Sequence, residues 1–353
     1  MKRKINLILT ALLPVQIILI QILSGYPKVI EKIYSQYIFQ KIALTEELIF
    51  GSLPFSVGDI LYLAFAILLI RWLLIRIKSK FIQIKSWSLQ VFSTLSVFYF
   101  LFHFLWGMNY YRIPLNEKLT LDREYKYEDL LSLTDFIILK SNQLQKQLST
   151  DKNTAVDFNF SLKEINTLNN YSFDLMRFKS RKLKLNSKSS LFSFPLSYMG
   201  FSGYLNPLTN EAHLNTRLPN FKFPTLAAHE MAHQIGYAKE NEANFIAVLA
   251  TINHPNLHFK YAGYTFALQY LLQDIAQKDQ NKAKELAEKL HPGVRKNYKE
   301  VQVFWKKHEN PFEPAFKIFY KNFLKVNNQP EGMQSYNYVV GLLVNYYKRE
   351  KSF

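Results

Sequence analysis

The stretch Phe223-Pro-Thr-Leu-Ala-Ala-His-Glu-Met-Ala-His-Gln-Ile-Gly236 carries the pattern that constrains this chain most strongly. Pro224 and Thr225 favour the beginning of a helix, and the closing glycine favours its end. The stretch therefore predicts one short helix. Within that helix, His229 and His233 are four residues apart, so their side chains lie on the same face.

Two imidazoles on one helical face, with a glutamate beside the first, suit a divalent metal ion. His229 and His233 would each give one ring nitrogen to the ion, and zinc is the ion that this ligand set suits best. Glu230 would reach a water molecule on the ion and act as the general base, since zinc lowers the pKa of such a water. The competing interpretation is a pair of structural histidines on an ordinary helix.

A catalytic zinc site needs a third protein ligand, and the residues after Gly236 offer two carboxylates. Glu240 and Asn244 are four residues apart, so both can lie on one face of a following helix. We expect Glu240 to be the third ligand and Asn244 to support the site by a hydrogen bond to a ligand. Glu242 as third ligand stays open. So does the interpretation that both acids only stabilise a helix N-terminus.

A helix with His229, Glu230 and His233, followed by a second helix with Glu240 and Asn244, resembles the gluzincin metallopeptidases. In that family a glutamate on the second helix is the third metal ligand. The resemblance implies a zincin-like domain that hydrolyses peptide bonds with Glu230 as its catalytic residue. Six residues separate His233 from Glu240, a shorter linker than in most gluzincins.

Three apolar stretches dominate the first third of the chain, at residues 5–23, 56–76 and 87–108. Each is close to the length of about twenty residues that a helix needs to cross a bilayer. We predict three transmembrane helices, which make residues 1–108 a membrane anchor and residues 109–353 a separate domain. A signal peptide is the alternative for the first stretch, but no small-residue cleavage site follows it.

The charges that flank these stretches predict their orientation in the membrane. The chain begins Met-Lys-Arg-Lys, and the loop around residues 76–80 is also basic and contains no acid. The loop between the first two stretches is neutral. Because Lys and Arg mark the cytoplasmic side, we expect the N-terminus inside. The chain would then be an integral protein of the bacterial cytoplasmic (inner) membrane, with residues 109–353 outside.

The composition excludes some kinds of site. There are no cysteines, so thiolate metal ligands, disulfides and a cysteine nucleophile are excluded. The formal net charge is +17, part of which belongs to the membrane flanks. No motif that combines aromatic and basic residues accompanies this charge, so we do not expect a nucleic-acid partner.

Most of the remaining chain shows the apolar spacing of helices, and the predicted fold class is mainly α. We expect three transmembrane helices, followed by a mostly helical zincin-like domain with a small β element. Residues 179–190 are rich in Lys, Ser and Asn and predict an exposed loop, whereas residues 192–215 predict turns with one or two short strands. Further helices are predicted at residues 129–148, 162–178 and 336–347, and a long helical hairpin is predicted at residues 262–290.

Residues 204–214 are the candidate for an edge strand, which in gluzincin-like folds pairs with an extended substrate. Glu211 and His213 lie on it. The simpler interpretation makes them strand-surface residues, and substrate contact is the alternative. Three of the 22 tyrosines are candidates for stabilising an oxyanion, namely Tyr198, Tyr204 and Tyr237.

A second resemblance covers nearly the whole chain. The three apolar stretches are followed by Trp106-Gly-Met-Asn-Tyr-Tyr-Arg-Ile-Pro-Leu115, by Gly203-Tyr-Leu-Asn-Pro-Leu-Thr-Asn-Glu-Ala212, and then by residues 229–245. This order is similar to that of a bacterial membrane family labelled domain of unknown function 3810. The label names no substrate, and the resemblance implies the architecture and a metallopeptidase-type site.

The sequence therefore predicts a membrane-anchored zinc peptidase that acts on protein or peptide outside the cytoplasmic membrane. Two alternatives stay open. One is a non-enzymatic membrane protein with a structural or relic zinc site, against which the intact Glu230 argues, because structure needs ligands but no base. The other is a zinc hydrolase of a cell-envelope amide, which would use the same chemistry. A narrow cleft beside an edge strand would favour peptides.

Overall fold

The computed structural model describes residues 2–149, 151, 153–176, 183–329 and 336–351. They form a mainly α-helical protein with one three-stranded sheet, which confirms the predicted fold class. The chain divides into two compact units. The N-terminal unit runs to Ile113 and also contains Asn206–Glu211, and the C-terminal unit contains Pro114–Leu205 and the residues from Ala212 onward.

The N-terminal unit contains three helices that are long and apolar enough to cross a membrane. They confirm the three predicted stretches, although the third helix begins and ends about three residues earlier than predicted. Ser56 begins the second of them by accepting a hydrogen bond from the backbone N–H of Asp59 (2.8 Å). The helices of this unit are α1 (Lys2–Ser24), α2 (Pro27–Val29), α3 (Phe39–Glu46), α4 (Val57–Lys78) and α5 (Ile84–Leu105), with wide π-type turns at Ile30–Ile38 and Glu47–Gly51.

The C-terminal unit is built from eleven further helices among the described residues. The four predicted helical segments of this unit are present, and the segment at 262–290 contains two consecutive helices, in agreement with the predicted hairpin. The helices are α6 (Leu115–Lys118), α7 (Tyr127–Leu148), α8 (Leu162–Leu175), α9 (Ser193–Met199), α10 (Phe223–Gln234), α11 (Glu240–Ile252), α12 (Leu257–Lys278), α13 (Gln280–Glu288), α14 (Pro292–His308), α15 (Glu313–Val326) and α16 (Tyr336–Glu350).

The sheet consists of β1 (Ser187–Ser189), β2 (Gly203–Asn206) and β3 (Glu211–Leu214), in the order β1-β3-β2. β1 runs parallel to β3. Of the predicted edge strand, only the part in β2 lies at an edge, because β3 is the central strand.

The prediction of an exposed loop at residues 179–190 is wrong for the part that the structure describes. Residues 179–182 lie outside the described residues. Leu183 and Leu185 are buried, and β1 follows them. A strand of three residues shows no clear alternation, and here its hydrogen bonds come from β3, which is distant in sequence.

The core of the C-terminal unit fixes the orientation of α10. Leu226 and Ala227 of this helix are buried against Ile165 of α8 and Leu214 of β3. α10 also packs against α11 and α12. His229 and Glu230 of the same helix line a cavity.

Candidate metal centre

The helix α10 places His229, Glu230 and His233 as the sequence predicts. It begins with a proline in its first turn, where the missing N–H leaves no helical hydrogen bond unmade. It ends before Gly236, which has a φ of 86° in the left-handed region that glycine adopts without strain. The rings of His229 and His233 lie with their centroids 4.7 Å apart and nearly perpendicular.

The turn at Gly236 brings a carboxylate back to these two rings. The N–H of Tyr237 donates to the carbonyl of Ala232 (3.1 Å), and α11 begins at Glu240. The turn therefore reverses the chain within a few residues, and the first residue of α11 faces the end of α10.

Side-chain atoms of three residues that can bind a metal ion converge at this point. The Nε2 atoms of His229 and His233 are 3.1 Å apart. Glu240 Oε2 lies 3.3 Å from Nε2 of His229, and its Oε1 lies 3.5 Å from Nε2 of His233. His229, His233 and Glu240 thus form a group that could hold a metal ion.

The hydrogen bonds of His233 prepare it for that role. Its Nδ1 lies 2.7 Å from the backbone carbonyl oxygen of Tyr237. A carbonyl oxygen can only accept, so Nδ1 carries the proton and Nε2 is the atom that can offer a lone pair to a cation. The turn that delivers Glu240 therefore also fixes the ring of His233.

The charges of the group are strongly coupled. Burial lowers the pKa of His233, but the hydrogen bond and charge of Glu240, the charge of Glu230 and the Tyr237 carbonyl together raise it to about 9. Burial raises the pKa of Glu240, but the two histidines outweigh burial and hold that pKa well below its ordinary value.

Glu230 lies beside the group without belonging to it. Its side chain is buried, and its Oε2 has no hydrogen-bond partner among the described residues. Burial raises the pKa of Glu230 to about 7, against the opposing effect of the charges on His229 and His233 and with a further increase from Glu240. Glu230 therefore has a free oxygen and a pKa suited to moving a proton near neutral pH.

The sheet edge approaches Glu230 closely at Gly203. A Cβ atom at position 203 would lie 2.6 Å from Oε1 of Glu230 and 2.6 Å from the backbone oxygen of His213. Only glycine fits there. β2 can consequently pass directly over the carboxylate.

The family assignment follows from a match over most of the chain. A family model described as "Protein of unknown function (DUF3810)" matches residues 34–344. The chain belongs to the DUF3810 family. Neither the search of curated proteins nor the search of solved structures gave a match.

The sequence of this DUF3810 protein offers two carboxylates as the third metal ligand, and their positions in the structure differ. Glu240 joins the histidines, whereas Glu242 is buried elsewhere and its Oε1 accepts a hydrogen bond from the N–H of Leu115 (2.8 Å). The alternative ligand Glu242 is therefore turned away from the group.

Asn244 lies one turn beyond Glu240 and lines the same cavity. The hydrogen bond predicted between Asn244 and a ligand is not among the contacts of the described residues. Its placement toward the cavity nevertheless leaves its amide available to a bound molecule.

Tyr320 of α15 is a part of the site that sequence reasoning missed. Its hydroxyl donates to Oε1 of Glu240 (2.7 Å), and its ring makes an edge contact with Phe201. The residue is 80 positions from Glu240 and no motif surrounds it. Its hydrogen bond orients the carboxylate in the way that supporting residues orient metal ligands.

The three tyrosines proposed from the sequence take other roles. Tyr237 contributes its backbone carbonyl, and Tyr204 stacks on the ring of His213 at 4.7 Å. The ring of Tyr198 makes an edge contact with His308. The prediction of an oxyanion-stabilising side chain at these positions therefore has no support in the geometry, and none of the three lines the cavity.

Glu211 and His213 are also placed away from the cavity. Glu211 belongs to the N-terminal unit, where its carboxylate accepts hydrogen bonds from the N–H groups of Val57 and Gly58 at the beginning of α4. A carboxylate at a helix N-terminus is stabilised by the helix dipole. His213 is fully buried. Both therefore take structural roles, which was the simpler of the two interpretations of the sequence.

Proposed function

We propose that this DUF3810 protein is a membrane-anchored zinc metallopeptidase that hydrolyses peptide bonds outside the cytoplasmic membrane. The observation that carries the proposal is the convergence of His229, His233 and Glu240 on one point, with the free carboxylate of Glu230 beside it. This is the gluzincin arrangement that the sequence resembles.

The spacing of the donor atoms fits zinc. Bonds of about 2.0–2.1 Å in a tetrahedral zinc site place neighbouring ligand atoms about 3.3–3.4 Å apart. The two Nε2 atoms are 3.1 Å apart, and they lie 3.3 and 3.5 Å from the two different carboxylate oxygens of Glu240. Two imidazoles and one carboxylate, without any thiolate, also match the ligands of catalytic zinc sites.

An enzymatic role fits the cavity better than a structural one. Structural zinc sites are closed by four protein ligands, whereas catalytic sites keep one position open. Among the described residues the group contains three ligands, and the side chain of Glu240 is 21% exposed. Its open side faces a cavity of about 280 Å³ that Gly203 and Glu230 also line.

Different residues of the chain have different roles in the proposed hydrolysis. Zinc, when bound, supplies Lewis acidity that polarises the amide carbonyl and makes water a better nucleophile. Glu230 accepts the proton of the attacking water and returns it to the leaving amine. Tyr320 holds Glu240 in place. The edge strand β2 offers backbone hydrogen bonds to an extended peptide, which is why peptides are the favoured substrates.

The membrane setting rests on charge and hydropathy. Three apolar helices precede the C-terminal unit, and the basic residues lie at the N-terminus and in the loop between α4 and α5. By the rule that Lys and Arg stay inside, the C-terminal unit faces outward.

Glu230→Gln tests the mechanism directly. Full-length protein is purified in detergent, and zinc content and cleavage of a mixture of quenched fluorogenic peptides are measured. We expect Glu230→Gln to keep its zinc and to lose activity by a factor on the order of 100–10,000, because it removes only proton transfer. Glu242→Gln, a buried glutamate outside the group, serves as the control and should keep both.

Two results would contradict the proposal. One is a Glu230→Gln protein with full activity. The other is a wild-type protein that holds zinc and cleaves none of the peptides, which would leave hydrolysis of a cell-envelope amide as the function to test.

A further inference from the structure

The cavity beside the metal centre contains two lysines in different electrostatic situations. Lys317 of α15 lines the cavity but is already neutralised, because its Nζ lies 2.6 Å from Oε1 of Glu313. Lys222, immediately before α10, lines the same cavity. No carboxylate of the described residues lies within ion-pair distance of its Nζ.

The surroundings of Lys222 leave its charge poorly compensated. Its Nζ reaches Oε1 of Gln269 only at 3.5 Å, and it lies 4.8 Å from the centre of the Phe266 ring. Burial lowers the pKa of Lys222 to about 8. An ammonium with one long hydrogen bond and one aromatic ring is stabilised less than one with an anion.

Lys222 also lies on the same helical face as the candidate metal ligand His229. Its backbone is already helical, with φ −78° and ψ −23°, so it continues the spiral of α10 backwards. His229 is seven residues later, which is about two helical turns on the same face and about 10 Å along the axis. An extended peptide spans about 3.3–3.6 Å per residue. About three residues of substrate therefore cover the distance.

We propose that Lys222, with Gln269 beside it, forms an anion subsite that binds a carboxylate of the substrate within about three residues of the cleaved bond. The inference rests on the proposed peptidase function and narrows its substrates to peptides that carry such a carboxylate. The carboxylate is either the C-terminus of a short peptide or an acidic side chain. In both cases a carboxylate forms an ion pair with the ammonium group of Lys222.

Matched inhibitors test the subsite in the zinc-loaded, full-length protein in nanodiscs. Three peptide hydroxamates of one backbone are compared by calorimetric titration: one with a free C-terminal carboxylate, one with a C-terminal amide, and one amide with a glutamate as last residue. We expect one or both charged forms to bind roughly tenfold or more tighter than the neutral amide. Whichever form is preferred identifies the source of the carboxylate.

Three variants locate the effect. Lys222→Met should remove the preference for the charged forms over the neutral amide, and Lys222→Arg should keep that preference. Lys317→Met is the matched control and should keep it, because Glu313 already neutralises that lysine. Equal binding of charged and neutral forms by the wild type overturns the inference. So does a preference that survives Lys222→Met.

A second measurement does not depend on zinc. Lys222 of the wild-type protein is labelled with acetic anhydride, with and without metal, and its modification is followed by mass spectrometry. N-acetyl-dialanine should slow the labelling and N-acetyl-dialanine amide should not. Absence of protection by the carboxylate overturns the subsite. If no hydroxamate binds but the protection is seen, the subsite stands and the zinc site fails.

Discussion

At the scale of single residues, two hydrogen bonds from outside the candidate metal ligands support their positions. The Tyr237 carbonyl fixes the tautomer of His233, and the Tyr320 hydroxyl holds Glu240. Removing such supporting hydrogen bonds typically lowers metal affinity by about 10- to 100-fold. The two contacts come from different parts of the chain, so they can be tested separately.

Tyr320→Phe is expected to weaken zinc binding by about tenfold, because it deletes the hydrogen bond to Glu240 and keeps the aromatic ring. Competition with a chromophoric chelator measures the change. Tyr298→Phe is the control, since the hydroxyl of Tyr298 donates to the backbone carbonyl of Thr265 (2.6 Å) and its removal also deletes one hydrogen bond. An unchanged zinc affinity in Tyr320→Phe would show that the hydroxyl does not support the metal centre.

The affinity for zinc is expected to rise with pH. The pKa of His233 is raised to about 9 in the metal-free protein, so zinc must displace a proton from this residue at neutral pH. One displaced proton predicts a rise of about tenfold per pH unit below the pKa. Chelator competition at several pH values between 6 and 8 measures the slope. A flat profile would contradict the proton displacement.

The raised pKa of His233 also makes the stability of the metal-free protein depend on pH. The pKa of His233 is raised on folding, so the stabilisation is fully present below its ordinary pKa of 6.5 and is lost as pH rises through about 9. Metal-free protein should therefore be less stable at pH 9 than at pH 6 as far as this residue is concerned.

The sequence could predict the residues whose relation is local. His229, Glu230 and His233 share one helix, so their spacing is enough to place them together. The position of Glu240 beside the two histidines depends on the conformation of the turn at Gly236, which the sequence does not specify. Tyr320 and Lys222 depend on tertiary contacts, and neither residue type stands out in a chain with 22 tyrosines and 44 Lys and Arg residues.

At the scale of elements, β2 closely approaches α10 beside the candidate metal ligands. The strand passes the carboxylate of Glu230 at Gly203 without room for a Cβ atom. Such a contact depends on a strand and a helix that are both fixed. α10 is held by its core face with Leu226 and Ala227, and β2 by its pairing with β3.

Gly203→Ala is expected to destabilise the protein by about 1–3 kcal/mol, since the new methyl group would meet a backbone oxygen as well as Glu230. Peptidase activity should fall by more than the loss of folded protein accounts for, because Glu230 is displaced. Thermal unfolding and peptide cleavage measure the two effects. Gly25→Ala is the control, since its nearest new contact is 3.4 Å. A Gly203→Ala protein with normal stability and activity would contradict the close approach.

The helices were more predictable than the sheet. Long amphipathic segments such as α7 and α12 show their period over many residues. β1 has three residues in a polar stretch and is stabilised by pairing with β3, which begins more than twenty positions later. Local sequence contains no record of that pairing.

At the scale of the whole molecule, the family model matches residues in both units of the chain. Residues 34–344 include two of the three apolar helices and nearly all of the C-terminal unit. The match therefore covers apolar helices together with the unit that contains the candidate metal ligands. This combination is what the proposed peptidase requires, because it ties a hydrolytic site to a membrane.

The metal content of the purified whole chain tests the central claim most directly. Zinc is measured by mass spectrometry in the wild type, His233→Ala, Glu240→Gln and Glu242→Gln after dialysis against zinc-free buffer. We predict about one zinc per chain in the wild type and in Glu242→Gln, and about a tenth of that or less in the two ligand variants. Equal and negligible zinc in the wild type and in His233→Ala would contradict the metal centre.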